Sequence, residues 1–273
     1  MKPLKILLIG AHGRTGRLIA RHLHDDAIPF RAMLRKSAHR SEFAALGAEI
    51  VLGDLTNDFS HTFDDITHVI YAAGSAETEG VREQRAIDRD AVMRTADYAK
   101  RRRVRQLVVV SALSAFHPER SGFALRHYAR MKREADEYVA QRGVPCAILR
   151  PGPLSDEPAC GTIALADEDT PNVLPVSRQD VAQVAVRCAT CGLGNRIIGF
   201  GGGNQPIDAA LGACSPTTAL AWRSACYNPD YEISCHHRQG YRPSHSATDF
   251  PSGPASVRYI TCLRKSRVDS EFP

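Results

Sequence analysis

Two groups of residues in this sequence have types and spacings that could do chemistry. The first is Gly10-Ala11-His12-Gly13-Arg14-Thr15-Gly16. Glycines at this spacing allow a tight turn at Gly10, let the backbone at Gly13 approach an anion, and let a helix pack closely at Gly16. A helix beginning at such a turn offers unpaired N–H groups and the positive end of its dipole to a phosphate. The second group is Tyr128-Ala129-Arg130-Met131-Lys132. Residues four apart on a helix share a face, and a neighbouring ammonium makes a phenol of ordinary pKa about 10 easier to ionise. Such a phenol can exchange a proton with a substrate oxygen. Ser111 and Ser114, in Val110-Ser111-Ala112-Leu113-Ser114, are hydroxyls that could hydrogen-bond the same oxygen. The sequence does not choose between them. His117 and His127 are nearby titratable alternatives, although surface positions are the commoner fate of such histidines.

These residues need elements to position them. From Met1 to about Ala210 short aliphatic runs alternate with longer amphipathic stretches, the rhythm of a parallel sheet covered by helices. The strand-like runs are Lys5 to Ile9, Phe30 to Leu34, Glu49 to Leu52, His68 to Ala72, Gln106 to Val110, Cys146 to Leu149 and Arg196 to Phe200. Several are almost wholly apolar, as strands buried on both faces are. Helical spacing covers Thr15 to Leu23, Ser41 to Leu46, Arg82 to Arg101, Tyr128 to Arg142, which Gly143 closes, and Arg178 to Cys188. The pattern predicts an α/β fold: a Rossmann-type doubly wound parallel sheet with helices on both faces, followed by an irregular C-terminal tail. The glycine loop then lies directly between the first strand and the first helix, which is the setting of a dinucleotide-binding fingerprint.

The end of the second strand indicates which dinucleotide. An acidic residue there would accept the ribose hydroxyls of NAD, but the sequence is Leu34-Arg35-Lys36-Ser37. Arg35 can clamp a 2′-phosphate, Lys36 or Arg40 adds charge, and Arg14 can reach the same group. NADP(H) is therefore favoured over NAD(H). Gly53-Asp54-Leu55 follows the third strand, where Asp54 could bond the adenine amino group, and Ala72-Ala73-Gly74 ends the fourth, where little side chain would keep a cofactor from the backbone. Both segments are also ordinary strand-ending turns.

Composition sets outer bounds. The chain has 273 residues, 43% hydrophobic and 24% charged, enough for one substantial core. Its net charge of +5 is scattered apart from Lys100 to Arg103, which argues against nucleic acid as a partner. No apolar run nears the roughly 18 residues of a membrane span, so no membrane partner is expected and a cytoplasmic protein is the reading. Eight cysteines without a secretory signal read as reduced thiols, Cys188 and Cys191 as small residues on a helix face. Residues 211–273 carry four of the eight, with Trp222, and no sustained period beyond the strand-like Val257 to Leu263. They are expected to form a poorly ordered extension to a nucleotide-binding domain of residues 1–210. Cys235-His236-His237 lacks the ligand separation of structural zinc pairs, so no metal site is predicted.

Gly10 to Gly16, Arg35, Gly53-Asp54, Ala72 to Gly74, Val108 to Ser111 and Arg150-Pro151-Gly152-Pro153-Leu154 occur in the order seen in atypical short-chain dehydrogenase/reductases. The chain resembles their single-domain NAD(P)H-binding group, which includes flavin and biliverdin reductase-like proteins and relatives of nitrogen-metabolite-repression regulators. Its proteins are often labelled NAD(P)-dependent epimerase or dehydratase. The resemblance covers Lys2 to Ala210, including the helix start at Val176 to Ala182, and leaves out the tail. It implies NADP at the carboxyl ends of the strands, with Pro151 and Gly152 near the nicotinamide, Lys132 holding the ribose, and Tyr128, Lys132 and a serine of the 111–114 turn at the chemistry. The expected activity is NADPH-dependent reduction of a small carbonyl compound or a flat redox substrate such as a flavin, quinone or tetrapyrrole, by a monomer or homodimer. A non-catalytic NADP(H) sensor and an epimerase that returns its hydride are the alternatives, because the group contains enzymes and sensors alike.

Overall fold

The nearly continuous apolar runs become the strands of one sheet. In the computed structural model, residues 2–75, 80–212 and 258–259 are described. In chain order the elements are β1 (Ile6–Ile9), α1 (Arg14–Asp25), β2 (Phe30–Leu34), α2 (Arg40–Ala44), β3 (Glu49–Leu52) and β4 (His68–Tyr71), then α3 (Val81–Gln84), a π-helical turn (Arg85–Asp90) and α4 (Ala91–Arg101) as one continuous helix. There follow β5 (Gln106–Val110), α5 (Phe123–Gln141), β6 (Cys146–Pro151), β7 (Leu154–Ser155), β8 (Thr162–Ala166), β9 (Val176–Ser177), α6 (Arg178–Thr190), β10 (Arg196–Gly202), β11 (Gln205–Pro206), α7 (Ile207–Ala210) and β12 (Arg258–Tyr259).

The main sheet has the order β11-β8-β10-β6-β5-β4-β1-β2-β3, with β12 also beside β10. From β3 to β10 every pairing is parallel; β8 runs antiparallel to both its neighbours. All four residues of β1 are fully buried, because both faces of the sheet are covered. Ile6 and Leu8 pack with Ile19, Leu23 and Val181 of α1 and α6. Leu7 and Ile9 pack with Val92, Ala96 and Val139 of α4 and α5. The doubly wound α/β fold expected from the sequence is the fold observed. Its strand order reverses between β1 and β4, the place where open α/β sheets bind ligands. Gly143, at φ +76°, follows α5 as a C-terminal cap residue.

Two features were not anticipated. The helix expected at Arg82 to Arg101 contains the π-helical turn, which rotates the face presented by residues 85–90. The connection after β6 contains a two-stranded β7–β9 ladder and the antiparallel β8. This connection crosses β10 where that strand lacks side chains: a Cβ on Gly199 or Gly201 would lie 2.3 Å from Ala166 O or Val173 Cγ1. The described residues belong to one unit, and Leu211, just after α7, is buried in its core. Readings made for the tail, including Trp222, its four cysteines and Cys235 to His237, lie outside the described residues, apart from β12 within the predicted Val257 to Leu263 run. No helix among the described residues is long and apolar enough to cross a membrane.

The post-β6 connection is held from below by one buried carboxylate. Ser177 caps α6 by accepting from Asp180 N–H at 2.9 Å, and its hydroxyl donates to Asp180 Oδ2 at 2.7 Å. Asp180 also accepts from Cys160 N–H at 3.2 Å and Gly161 N–H at 2.9 Å. Removing the carboxylate strands several donors at once, and one unsatisfied buried polar group costs about 1–3 kcal/mol. Asp180→Ala is expected to lower unfolding free energy by about 2–3 kcal/mol in urea titration, with Asp180→Asn recovering part of the loss.

Candidate functional site

The glycine loop fits a dinucleotide phosphate on steric grounds. Gly10 has φ +81°, and a Cβ there would lie 2.4 Å from Ala73 N. A Cβ on Gly16 would lie 2.1 Å from Gly10 O, so the start of α1 seats directly on the loop. Gly13 N–H donates to Gly10 O at 3.0 Å, closing the turn. Among the described residues no side chain caps α1, and its first turn holds no acidic residue, the condition under which a helix entrance can take an anion. Ala11 is buried behind the loop, while Arg14 and Thr15 stand at the helix entrance. The Arg14 guanidinium meets Asp156 Oδ2 at 3.1 Å.

The end of β2 lies beside this loop. His12 stacks on His39 with ring centroids 3.5 Å apart, and Arg17 bonds both His12 Nε2 and Glu42. Burial and then the Arg17 charge lower the His12 pKa, keeping the imidazole neutral. His12, His39 and Glu42 are close enough together to suggest a cation site, but Arg17 already fills it with its guanidinium. Arg35 and Lys36 are exposed, with no ion pair among the described residues. Asp54 Oδ1 accepts from the N–H and the hydroxyl of Thr56, both at 2.8 Å, and these bonds hold its carboxyl below the usual range. Leu55 is half-buried, and its carbonyl accepts from Arg94.

A line of contacts leads from the loop to the tyrosine. Ala72 and Ala73 abut Gly10, and a Cβ on Gly74 would stand 3.4 Å from Asp88 Oδ1. Asp88, in the π-helical turn, is fully buried and accepts from the Ser75 hydroxyl at 2.5 Å. Its other oxygen lies 3.1 Å from Lys132 Nζ, and that ammonium also donates to Val110 O at 3.2 Å. Burial alone would lower the Lys132 pKa, but Tyr128, Asp88 and Asp136 together outweigh it and hold the ammonium above its ordinary range. The Tyr128 ring faces Lys132 Nζ at 5.6 Å, and burial raises the phenol pKa despite the opposing pull of Lys132. The Tyr128 hydroxyl has no hydrogen-bond partner among the described residues.

The two serines have different surroundings. Ser111, almost fully buried, donates its hydroxyl to Asp136 Oδ2 at 2.8 Å, and Arg150 Nε donates to the same oxygen at 2.9 Å. Burial raises the Asp136 pKa, with Arg150 and Ser111 opposing. Ser114, in a short turn after β5, is half-buried with no hydrogen bond among the described residues. Pro151 and Gly152 are buried at the end of β6, where Gly152 N–H donates to Phe200 O at 2.8 Å. His117 bonds Glu119 and His127 bonds Gln84, each at 2.8 Å. Cys188 is buried and Cys191 half-buried.

Sequence reasoning passed over Asp88 and Asp136, although a signal existed. Each is a carboxylate on an apolar helix stripe: Asp88 with Ala91, Val92 and Thr95, and Asp136 with Ala129, Lys132 and Val139. Charges in such stripes are buried and need partners. Removing one member of a buried ion pair costs about 3–5 kcal/mol. Lys132→Met is therefore expected to lose stability on that scale in urea denaturation, and Asp88→Asn placed in the same chain should restore much of it.

Comparison with known proteins places this geometry in a family. Residues 10–191 match the model of a family described as NAD(P)H-binding. An uncharacterized sugar epimerase of Bacillus subtilis, YhfK, is 30% identical over 213 residues, 76% of this chain and 99% of that protein. Sanguinarine reductase of Eschscholzia californica is 25% identical over 235 residues, covering 68% of this chain and 84% of that one. A solved structure from Bacillus halodurans, assigned as an NAD-dependent epimerase/dehydratase, superposes with a TM-score of 0.73 at 28% identity over 77% of this chain and 99% of that one. The match spans two thirds of the chain and begins at Gly10 of the glycine loop, and the chain belongs to the family described as NAD(P)H-binding.

Proposed function

We propose that this protein is an NADPH-dependent reductase of the atypical short-chain type, built on residues 1–210, that acts on a small carbonyl compound or a flat redox substrate such as a flavin, quinone or tetrapyrrole. The observation that carries the reading is Tyr128: a phenol without a hydrogen bond among the described residues, beside an ammonium paired with Asp88, at the end of the line of contacts from the glycine loop. When bound, the nicotinamide supplies or accepts a hydride. Gly10, Gly13 and Gly16, with Ala11, His12, Arg14 and Thr15 around them, would hold the phosphates, and Ala72, Ala73 and Gly74 would form the wall against which the cofactor lies. Arg35 and Lys36 would take the 2′-phosphate, and Asp54 and Leu55 the adenine. Pro151 and Gly152 would border the nicotinamide.

The division of labour follows from donor counts. Lys132 has three N–H groups: one donates to Val110 O, the ammonium pairs electrostatically with Asp88 Oδ1 at 3.1 Å, and a remaining N–H would hold a ribose hydroxyl. Ser111 has one proton and gives it to Asp136, so its part is to brace the end of β5. Ser114 is the hydroxyl left to bond a substrate oxygen, and Tyr128 donates its proton there. A phenol whose pKa is raised stays protonated at neutral pH, which suits an acid in the direction of reduction. Turnover should accordingly stay level through neutral pH and fall only as pH climbs above the ordinary phenol range.

The commitment of Ser111 and Lys132 to internal carboxylates supports a second reading, a non-catalytic NADP(H) sensor. Nicotinamide fluorescence titration with NADPH and NADH, followed by NADPH consumption with flavins, quinones and carbonyl compounds, separates the two. Net consumption also excludes an epimerase that returns its hydride. For the reductase, Tyr128→Phe should lower kcat by at least about 100-fold with NADPH affinity nearly unchanged, the usual size of a lost general acid. Arg35→Asp should weaken NADPH far more than NADH; equal losses would remove Arg35 from the 2′-phosphate site.

A further inference from the structure

The connection after β6 reaches back over the phosphate loop through one side chain. Asp156 lies one residue beyond β7, and guanidinium groups engage both its oxygens: Arg14 Nη1 at 3.1 Å on Oδ2 and Arg178 Nη1 at 2.7 Å on Oδ1. Arg14 is the first residue of α1, while Arg178 is the first of α6. The strap carrying Asp156 is fixed on both sides. Val176 N–H donates to Pro153 O at 2.9 Å, β7 pairs with β9, and Asp180 accepts from Cys160 and Gly161. Residues 156–159 between these anchors are exposed.

We propose that Asp156 is a built-in competitor for the nucleotide: its carboxylate occupies the Arg14 guanidinium in the free protein and is displaced by a phosphate of the incoming dinucleotide. The inference rests on the nucleotide site lying at the glycine loop. An anion at the entrance of α1 gains from the helix dipole and the helix N–H groups, and a cation beside it adds a charge-assisted hydrogen bond. Arg14 is that cation, and a carboxylate holds it. Arg14 and Asp156 are both about two-thirds exposed, so their pair is of the weak, exchangeable kind. Arg178 is largely buried and keeps Asp156 after Arg14 has left, so the strap retains a resting place when the phosphate enters. Asp156 thus sets how tightly the loop takes its ligand without touching the reacting atoms.

The test is a double-mutant cycle on the full chain, read as NADPH and NADH dissociation constants from nicotinamide fluorescence. Asp156→Asn should tighten binding about three- to fivefold, the scale of one exposed ion pair. Simple repulsion between Asp156 and the nucleotide would also tighten binding, but to the same degree whether or not Arg14 is present. Competition for Arg14 should vanish in the Arg14→Gln background, so there Asp156→Asn should change affinity less than about 1.5-fold. An equal gain in both backgrounds, no gain, or weaker binding would overturn the proposal. If the parent protein bound neither nucleotide, the cofactor reading would fail along with it; if the parent binds and the cycle is additive, the competitor alone fails.

Discussion

The ion pair between Asp88 and Lys132 is the constraint on which the candidate site depends. It joins the helix after β4 to the helix after β5, and through Val110 O it also fixes the end of β5. Both partners are nearly inaccessible to water, so neither tolerates loss of the other. The same contact places Lys132 against the Tyr128 ring and brings Ser75, just past β4, onto Asp88. The π-helical turn makes this possible. One extra residue per turn at Arg85–Asp90 carries Asp88 to the inside of the helix, whereas α4 beyond it shows an ordinary apolar stripe.

A second buried carboxylate repeats the arrangement one strand over. Asp136 joins α5 to β5 through Ser111 and to β6 through Arg150, whose guanidinium lies 4.4 Å from the centre of the Phe116 ring. The carboxyl ends of β4, β5 and β6 are therefore tied together by charge rather than by apolar packing alone. Buried pairs of this kind give little net stability compared with well-packed hydrophobes, but they fix geometry. In this protein they fix Lys132 against the Tyr128 ring and hold the ends of β5 and β6 to α5. The wall toward β1 is held by sterics, since at Gly10 and Gly16 no side chain fits between the loop, β4 and α1.

The strands and the glycine loop were legible because each rests on local information: hydrophobic period for the strands, glycine spacing for the loop. Ile6–Ile9 is apolar throughout because the strand is covered on both sides, and Gly10, Gly13 and Gly16 are glycines because a Cβ would strike neighbouring backbone. Arg35 at the end of β2, the closure of α5 by Gly143 and the helix start at Ser177-Arg178 are signals of the same kind. Tyr128 and Lys132 were visible from their spacing, which puts them on one face of a helix. The sequence by itself thus determined the α/β fold class, the runs that become the central strands and the glycine loop between the first strand and the first helix. The tertiary structure alone decided which charges meet. Asp88 and Lys132 are 44 residues apart, Asp136 and Arg150 lie on separate elements, and Asp156 is 142 residues from Arg14. No local period encodes such partnerships, because they depend on how strands are ordered and on where a π-helical turn rotates a face. The roles of Ser111 and Ser114 divide for the same reason: the two hydroxyls stand three residues apart, and a carboxylate from another element engages one of them.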